Sequence, residues 1–204
     1  MPRPKSDIDV RILHAARQRF LSEGVDGASL RSIAKDARTS IGMVYYYFPT
    51  KDELFLAVVE EVYERVLADL SAALSFDLPV VERIRRLYQR IGRLDDEERM
   101  VLRLVVREAL VSSSRLESIL SRFQRGHIPL VLRAVSDGVA DGTLSRERHP
   151  LLLLAALVSL GTVPQVFARM FAGRLPLGAL PEGPDLADEL LQLLLEGVGP
   201  SASH

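Results

Sequence analysis

Apolar residues recur at every third or fourth position along most of the chain, and no run alternates strictly enough to build a sheet. That periodicity confines the fold to packed helices, each burying one stripe of side chains. The first stripe is Ile8, Ile12, Ala16 and Phe20. Ser6 followed by Asp9 opens it in the manner of a capping box, and Gly24 closes it. A short second helix is capped by Ser29 and carries Leu30, Ile33, Ala34 and Ala37 at helical spacing. Arg38-Thr39 leaves room only for a tight turn before a third short helix, from about Ser40 to Phe48. Pro49 ends that helix, because its ring keeps the preceding residue out of helical geometry. Thr50-Lys51-Asp52-Glu53 then opens a fourth helix with Leu54, Phe55, Val58, Val62, Val66 and Leu70 on one side, expected to reach about Ser75.

Beyond Pro79 the same periodicity predicts helices over about 80–93, 97–112, 116–141 with a bend at Pro129, 151–172 and 185–196. Loops are expected at Asp95-Asp96, from Gly142 to Pro150, and from Gly173 to Pro184, and the tail from Gly199 should fray. The fold class is therefore all-α. Two domains are expected: residues 1–53 as a tri-helical helix-turn-helix domain and residues 54–204 as a larger helical domain, joined by a linking helix over about 51–75. The run Leu151 to Leu160 is apolar almost throughout, but Ser159, Gly161, Thr162, Pro164 and Gln165 interrupt it well short of the roughly 20 residues a membrane span needs. A helix of this kind in a soluble protein must be covered, and Leu186, Leu190, Leu191, Leu193, Leu194 and Leu195 on the last helix suit the same four-helix packing.

Composition excludes several classes. With 48% hydrophobic residues the chain is not disordered, and without cysteine it forms no disulfide. Met1-Pro2-Arg3-Pro4-Lys5-Ser6-Asp7 lacks the apolar core of a signal peptide, so a cytoplasmic setting is expected. His14, His127, His149 and His204 are scattered without ligand spacing, so no metal is expected. No nucleotide-binding glycine loop or nucleophile motif is present, and neither a cofactor nor an enzymatic activity is expected; Arg107-Glu108 reads most simply as a helix-surface pair. Charge divides unevenly: up to Lys51 there are nine basic and five acidic residues, while the chain as a whole carries 26 and 27. A modest positive excess therefore marks the segment that holds the short helices.

Two short helices joined by a tight turn, with a third packed over them, form a DNA-binding unit in outline. A helix reads base edges only when apolar contacts on its rear hold it forward into the major groove. Val44 and Phe48 supply that rear, which leaves Gly42, Met43, Tyr46 and Tyr47 for the outer surface and Lys51 beside a backbone phosphate. Three consecutive tyrosines cannot all face inward, since successive residues lie about 100° apart.

Phe20, Gly24, Ser29, Arg31, Ile33-Ala34, Ala37, Ser40, Gly42, Tyr45, Tyr47-Phe48, Lys51 and Glu53-Leu54 together resemble, without a gap, the DNA-binding region of the TetR family of bacterial repressors. The resemblance implies a cytoplasmic, ligand-responsive repressor that binds double-stranded operator DNA as a homodimer through its last two helices. By position it implies that Gly42, Met43 and Tyr47 contact bases or sugars, with Arg31 reaching a base edge. Ser29, Ser40, Tyr45, Tyr46 and Lys51 fall on the remaining DNA-contacting positions, chiefly phosphate contacts, which fix register. For a small-molecule effector held among the middle helices, the candidate side chains are Tyr88, Arg107, His127 and Gln165. His127, beside Pro129, also fits a satisfied core histidine.

Three positions depart from the pattern. Arg38 stands where glycine is usual and disfavours a left-handed turn; Thr39 replaces an aliphatic residue; Ile41 replaces a polar one and joins Val44, Tyr45 and Phe48 in an apolar stripe. Arg38 and Ile41 support an alternative in which the helix-turn-helix is a scaffold that binds a protein partner without DNA. A helical enzyme is a third reading.

Overall fold

The computed structural model describes residues 7–111, 113–171, 181 and 184–197. Their regular elements are all helical: α1 (Asp7–Gly27), α2 (Leu30–Asp36), α3 (Ile41–Tyr47), α4 (Lys51–Ala73), α5 (Val80–Gly92), α6 (Asp96–Val111), α7 (Ser113–Gln124), α8 (His127–Asp141), α9 (Pro150–Phe171) and α10 (Pro184–Glu196). The chain divides into two compact units, one of Met1–Val66 with Asp95–Phe123 and the other of Leu67–Leu94 with Gln124–His204. The predicted cap Ser6, most of the predicted loop from Gly173 to Pro184 and the terminal residues lie outside the described residues.

In the first unit the stripe predicted for α1 is the core: Ile12, Ala16 and Phe20 have no solvent exposure and pack with Ile33, Ala34, Val44, Leu54, Phe55 and Val58. The Phe20 and Phe55 rings meet edge to face with centroids 6.1 Å apart, which contributes about 1 kcal/mol beyond their burial. Gly24 breaks α1 at φ 79°, ψ 165°, a backbone region open essentially only to glycine. Arg17 is buried on α1 and answers its desolvation with ion pairs to Glu61 and Glu97. Burial is the leading influence on its pKa and lowers it.

Among the boundaries that differ from those predicted, two have a local reason. α6 begins at Asp96 instead of Glu97 because Asp95 caps it reciprocally: the Glu98 N–H donates to Asp95 Oδ1 at 2.8 Å and the Asp95 N–H to Glu98 Oε2 at 3.0 Å. The long helix predicted across Pro129 is instead two helices, α7 and α8, separated at Arg125-Gly126. Pro129 is the third residue of α8, where a backbone N–H has no intrahelical acceptor, so proline neither bends nor breaks it there. α4 ends at Ala73, two residues before the predicted Ser75.

In the second unit α5 packs with α8, α9 and α10 around Ile84, Tyr88, Ala134, Val135, Leu157, Leu186, Ala187, Leu190 and Leu191. Tyr88 is fully buried and its hydroxyl donates to the Leu157 carbonyl at 2.9 Å. Its ring lies so close to α9 that a Cβ on Gly161 would stand 2.4 Å from it. Among the described residues α9 carries exposed apolar side chains: Leu151 and Leu152 are 64% and 65% exposed, and Val158 and Val163 about half. Among the described residues no helix is long and apolar enough to cross a membrane.

Candidate DNA-reading surface

Local sequence fixes each element of the surface. Ser29 Oγ accepts the Arg31 N–H at 3.3 Å and starts α2. At the other end the Thr39 N–H donates to the Ala34 carbonyl at 3.0 Å and the Arg38 N–H to the Lys35 carbonyl at 3.1 Å. That pair of bonds is a Schellman closure, which needs a left-handed residue at its corner. Arg38 supplies it at φ 52°, the one positive φ outside glycine among the described residues. The turn thus keeps its glycine geometry with arginine in place, at a steric cost of about 1–2 kcal/mol.

Ser40 Oγ then accepts the Met43 N–H at 3.2 Å and starts α3. Phe48, ahead of Pro49, takes extended geometry (φ −134°, ψ 90°) and ends it. Thr50 Oγ1 accepts the Glu53 N–H at 3.1 Å and starts α4.

α3 presents its faces as follows. Val44 is fully buried, and Ile41, Tyr47 and Phe48 are half-buried against the core. Tyr45 and Tyr46 are 52% and 56% exposed, Ser40 and Gly42 are exposed, and Met43 is partly so. Two expectations change: Tyr45 leaves the apolar stripe for solvent, and Tyr47 leaves the outer surface for the core's edge, with its ring packed edge-on to Tyr46 at 5.2 Å. The stripe that Ile41 opens therefore turns in through Val44 and Phe48, and Tyr45, about 100° from Val44, turns out.

Ser29, Arg31, Tyr45 and Lys51 come together around one open cleft of about 600 Å³, with Ala28, Leu30 and Ile41 completing its lining. Lys51 has a structural task as well. Its ammonium donates to the carbonyls of Asp26 at 2.8 Å and Ala28 at 3.2 Å, tying the end of α1 and the start of α2 to α4. An ammonium carries three hydrogens, so these two bonds leave one for an outside acceptor.

Beneath this surface lies a cluster that sequence reading missed. Arg115, from α7, donates to Glu108 at 2.7 Å, to both carboxylate oxygens of Asp26 at 2.7 and 2.8 Å, and to Asp52 at 2.9 Å. Burial works against its charge, but the hydrogen bonds to Glu108 and Asp26 outweigh it and hold its pKa above the ordinary value. With Asp26 89 positions away, no local pattern could have announced the pairing.

The four candidate effector residues do not form one group. Gln165 and Tyr88 touch, the Gln165 amide donating to the carbonyls of Tyr88 at 2.9 Å and Gly161 at 2.7 Å, while its buried Oε1 accepts no hydrogen bond. His127 is half-buried at the start of α8, and burial lowers its pKa. Arg107 belongs to the other unit, where its guanidinium lies against Gly24.

Residues 12–58 match the model of the bacterial regulatory proteins of the tetR family. The uncharacterized HTH-type transcriptional regulator YhgD of Bacillus subtilis (strain 168) is 20% identical over 133 residues, 65% of this chain and 70% of that protein. Two further curated regulators are spanned over only 54% and 56% of their length. Among solved structures, the transcriptional regulator FadR of Bacillus subtilis in complex with stearoyl-CoA superposes with a TM-score of 0.73 at 16% identity, covering 93% of this chain and 99% of that one. AibR in complex with isovaleryl coenzyme A and operator DNA superposes with a TM-score of 0.69 at 18% identity, covering 92% and 98%. At these identities the structures establish the fold.

Proposed function

We propose that the chain, whose residues 12–58 match the model of the bacterial regulatory proteins of the tetR family, is a member of that family and a cytoplasmic, homodimeric repressor, not an enzyme, that a small apolar or amphipathic effector releases from its operator. DNA reading is assigned to residues 1–53, and effector binding and dimerisation to residues 54–204. The observation that carries the reading is the outward face of α3: exposed Gly42, Tyr45 and Tyr46, with Met43 beside them, stand opposite a fully buried Val44. Ser29, Arg31, Tyr45 and Lys51 around the adjoining cleft supply hydroxyls and cations of the kind that hold phosphates. Gly42, Met43 and Tyr46 meet base edges, with Tyr47 and Ser40 at the margin of the contact.

The exposed Leu151, Leu152, Val158 and Val163 of α9 and the exposed Leu193 and Leu195 of α10 support pairing through these two helices. For release, an effector must bind more tightly to the form that does not fit the operator. Gln165, with an unused buried acceptor, and Tyr88 are the side chains of the second unit offered to it, with His127; Arg107 is kept as a candidate in the first unit. The acyl-coenzyme A complexes of FadR and AibR support an acyl thioester or related amphiphile.

The operator claim is tested by titrating the protein against its own upstream DNA at several salt concentrations. The expected result is tight, sequence-dependent binding that weakens linearly in log salt. Affinity equal for all duplexes, or indifferent to salt, would sink the reading and favour the protein-partner alternative. The two departures that alternative drew on are accommodated: Arg38 holds the left-handed corner, and Ile41 packs against the core.

A further inference from the structure

A second cleft, of about 240 Å³, lies between α1 and α6 and is lined by Phe20, Leu21, Met100, Arg103, Leu104 and Arg107. Its floor is apolar, with Phe20 fully buried and Leu104 nearly so. Two exposed guanidiniums complete its lining, and their arrangement is unusual for a solvated face. Arg103 and Arg107 are four residues apart on α6, so they are neighbours and repel. Neither has a carboxylate three or four positions away on its own helix. Glu108, next to Arg107 in the chain, is engaged by Arg115, and Glu23, next to Gly24, by Arg19. Among the described residues neither guanidinium makes an ion pair. The Arg107 guanidinium lies against Gly24, where a Cβ would come within 2.6 Å of its Nη2. Paired, unneutralised cations over an apolar floor are complementary to one kind of molecule.

The geometry points to a binding site here for a small amphipathic carboxylate, its carboxylate bridged by Arg103 and Arg107 and its short aliphatic tail against Leu21 and Met100, over the floor that Phe20 and Leu104 underlie. Guanidinium and carboxylate meet through paired charge-assisted hydrogen bonds, which neutralise the repulsion between the two arginines. The volume is below the roughly 300–1,000 Å³ of pockets for drug-sized ligands, so the tail is short. This site gives a ligand class to Arg107, named above as an effector candidate; it is separate from Tyr88 and Gln165 and does not depend on the operator reading.

The test is a ligand-observed NMR titration of the full chain, without DNA, using sodium hexanoate, with 1-hexanol, sodium acetate and inorganic phosphate as comparisons. Hexanoate is expected to bind, with hexanol and acetate each weaker by roughly tenfold or more. Arg103→Gln and Arg107→Gln should each weaken hexanoate by about tenfold while leaving the thermal midpoint of the free protein within error, and Arg103→Lys should retain part of the affinity. Absence of hexanoate binding, equal binding of hexanol or of phosphate, or undiminished binding by both glutamine variants would overturn the proposal. So would a loss of duplex affinity with a shallower salt dependence in those variants, because the pair would then be a contact to DNA phosphates.

Discussion

Replacing Arg115 by methionine isolates the energetics of the cluster beneath the reading surface. The side chains of Arg115 and Glu108 are 9% and 2% exposed, whereas those of Asp26 and Asp52 are 78% and 59% exposed. Arg115→Met therefore strands one carboxylate in the interior and frees two that water already reaches. Stranding a buried partner costs about 3–5 kcal/mol, and each exposed pair adds less than about 1 kcal/mol. The expected loss is thus about 4 kcal/mol, nearly all of it through Glu108. For a chain of this length that lowers the thermal midpoint by roughly 10 °C. Urea denaturation followed by circular dichroism measures it, provided the slope with denaturant is unchanged. Adding Glu108→Leu to Arg115→Met removes the stranded charge and should recover all but about 1 kcal/mol, since an apolar pair commonly substitutes for a buried ion pair without loss. Asp26→Asn and Asp52→Asn alone should each cost under about 1 kcal/mol. A single Arg115→Met loss below about 1 kcal/mol, or a double variant no more stable than the single, would refute the reasoning.

Other perturbations test other links. Arg38→Gly should raise the urea midpoint by up to about 1 kcal/mol of stability, steric relief outweighing glycine's larger unfolded entropy, while Arg38→Val should lower it; the order Gly, Arg, Val is the check. Lys51→Ala should weaken binding to operator and unrelated duplexes alike, whereas Met43→Ala and Tyr46→Ala should change which duplex is preferred, read by competition gel shift. His127 has its pKa lowered from 6.5 by burial, so the unfolded chain takes up a proton first. Stability should therefore fall as pH drops below about 6.5, and His127→Gln should flatten that slope in pH-dependent thermal melts. Gly161→Ala should destabilise by about 2 kcal/mol or more in urea melts, because its methyl would meet the Tyr88 ring in a closely packed core.

What sequence alone determined were the features set by neighbours along the chain. The caps Ser29, Ser40 and Thr50, the stop at Pro49, the break at Gly24 and the buried stripe through Ile12, Ala16 and Phe20 each depend on residues within a turn or two, and each stands in the structure where local rules put it. Which tyrosine of 45–47 faces water was not decided that way, because an amphipathic pattern on a seven-residue helix leaves its rotation to whatever it packs against. Nor could local pattern bring Arg115 to Asp26, or set Arg107 against Gly24, since contacts between distant residues depend on how whole helices cross. Arg38 shows the same division in one residue: its own preference opposes a left-handed corner, and the packing of α2 against α3 imposes it.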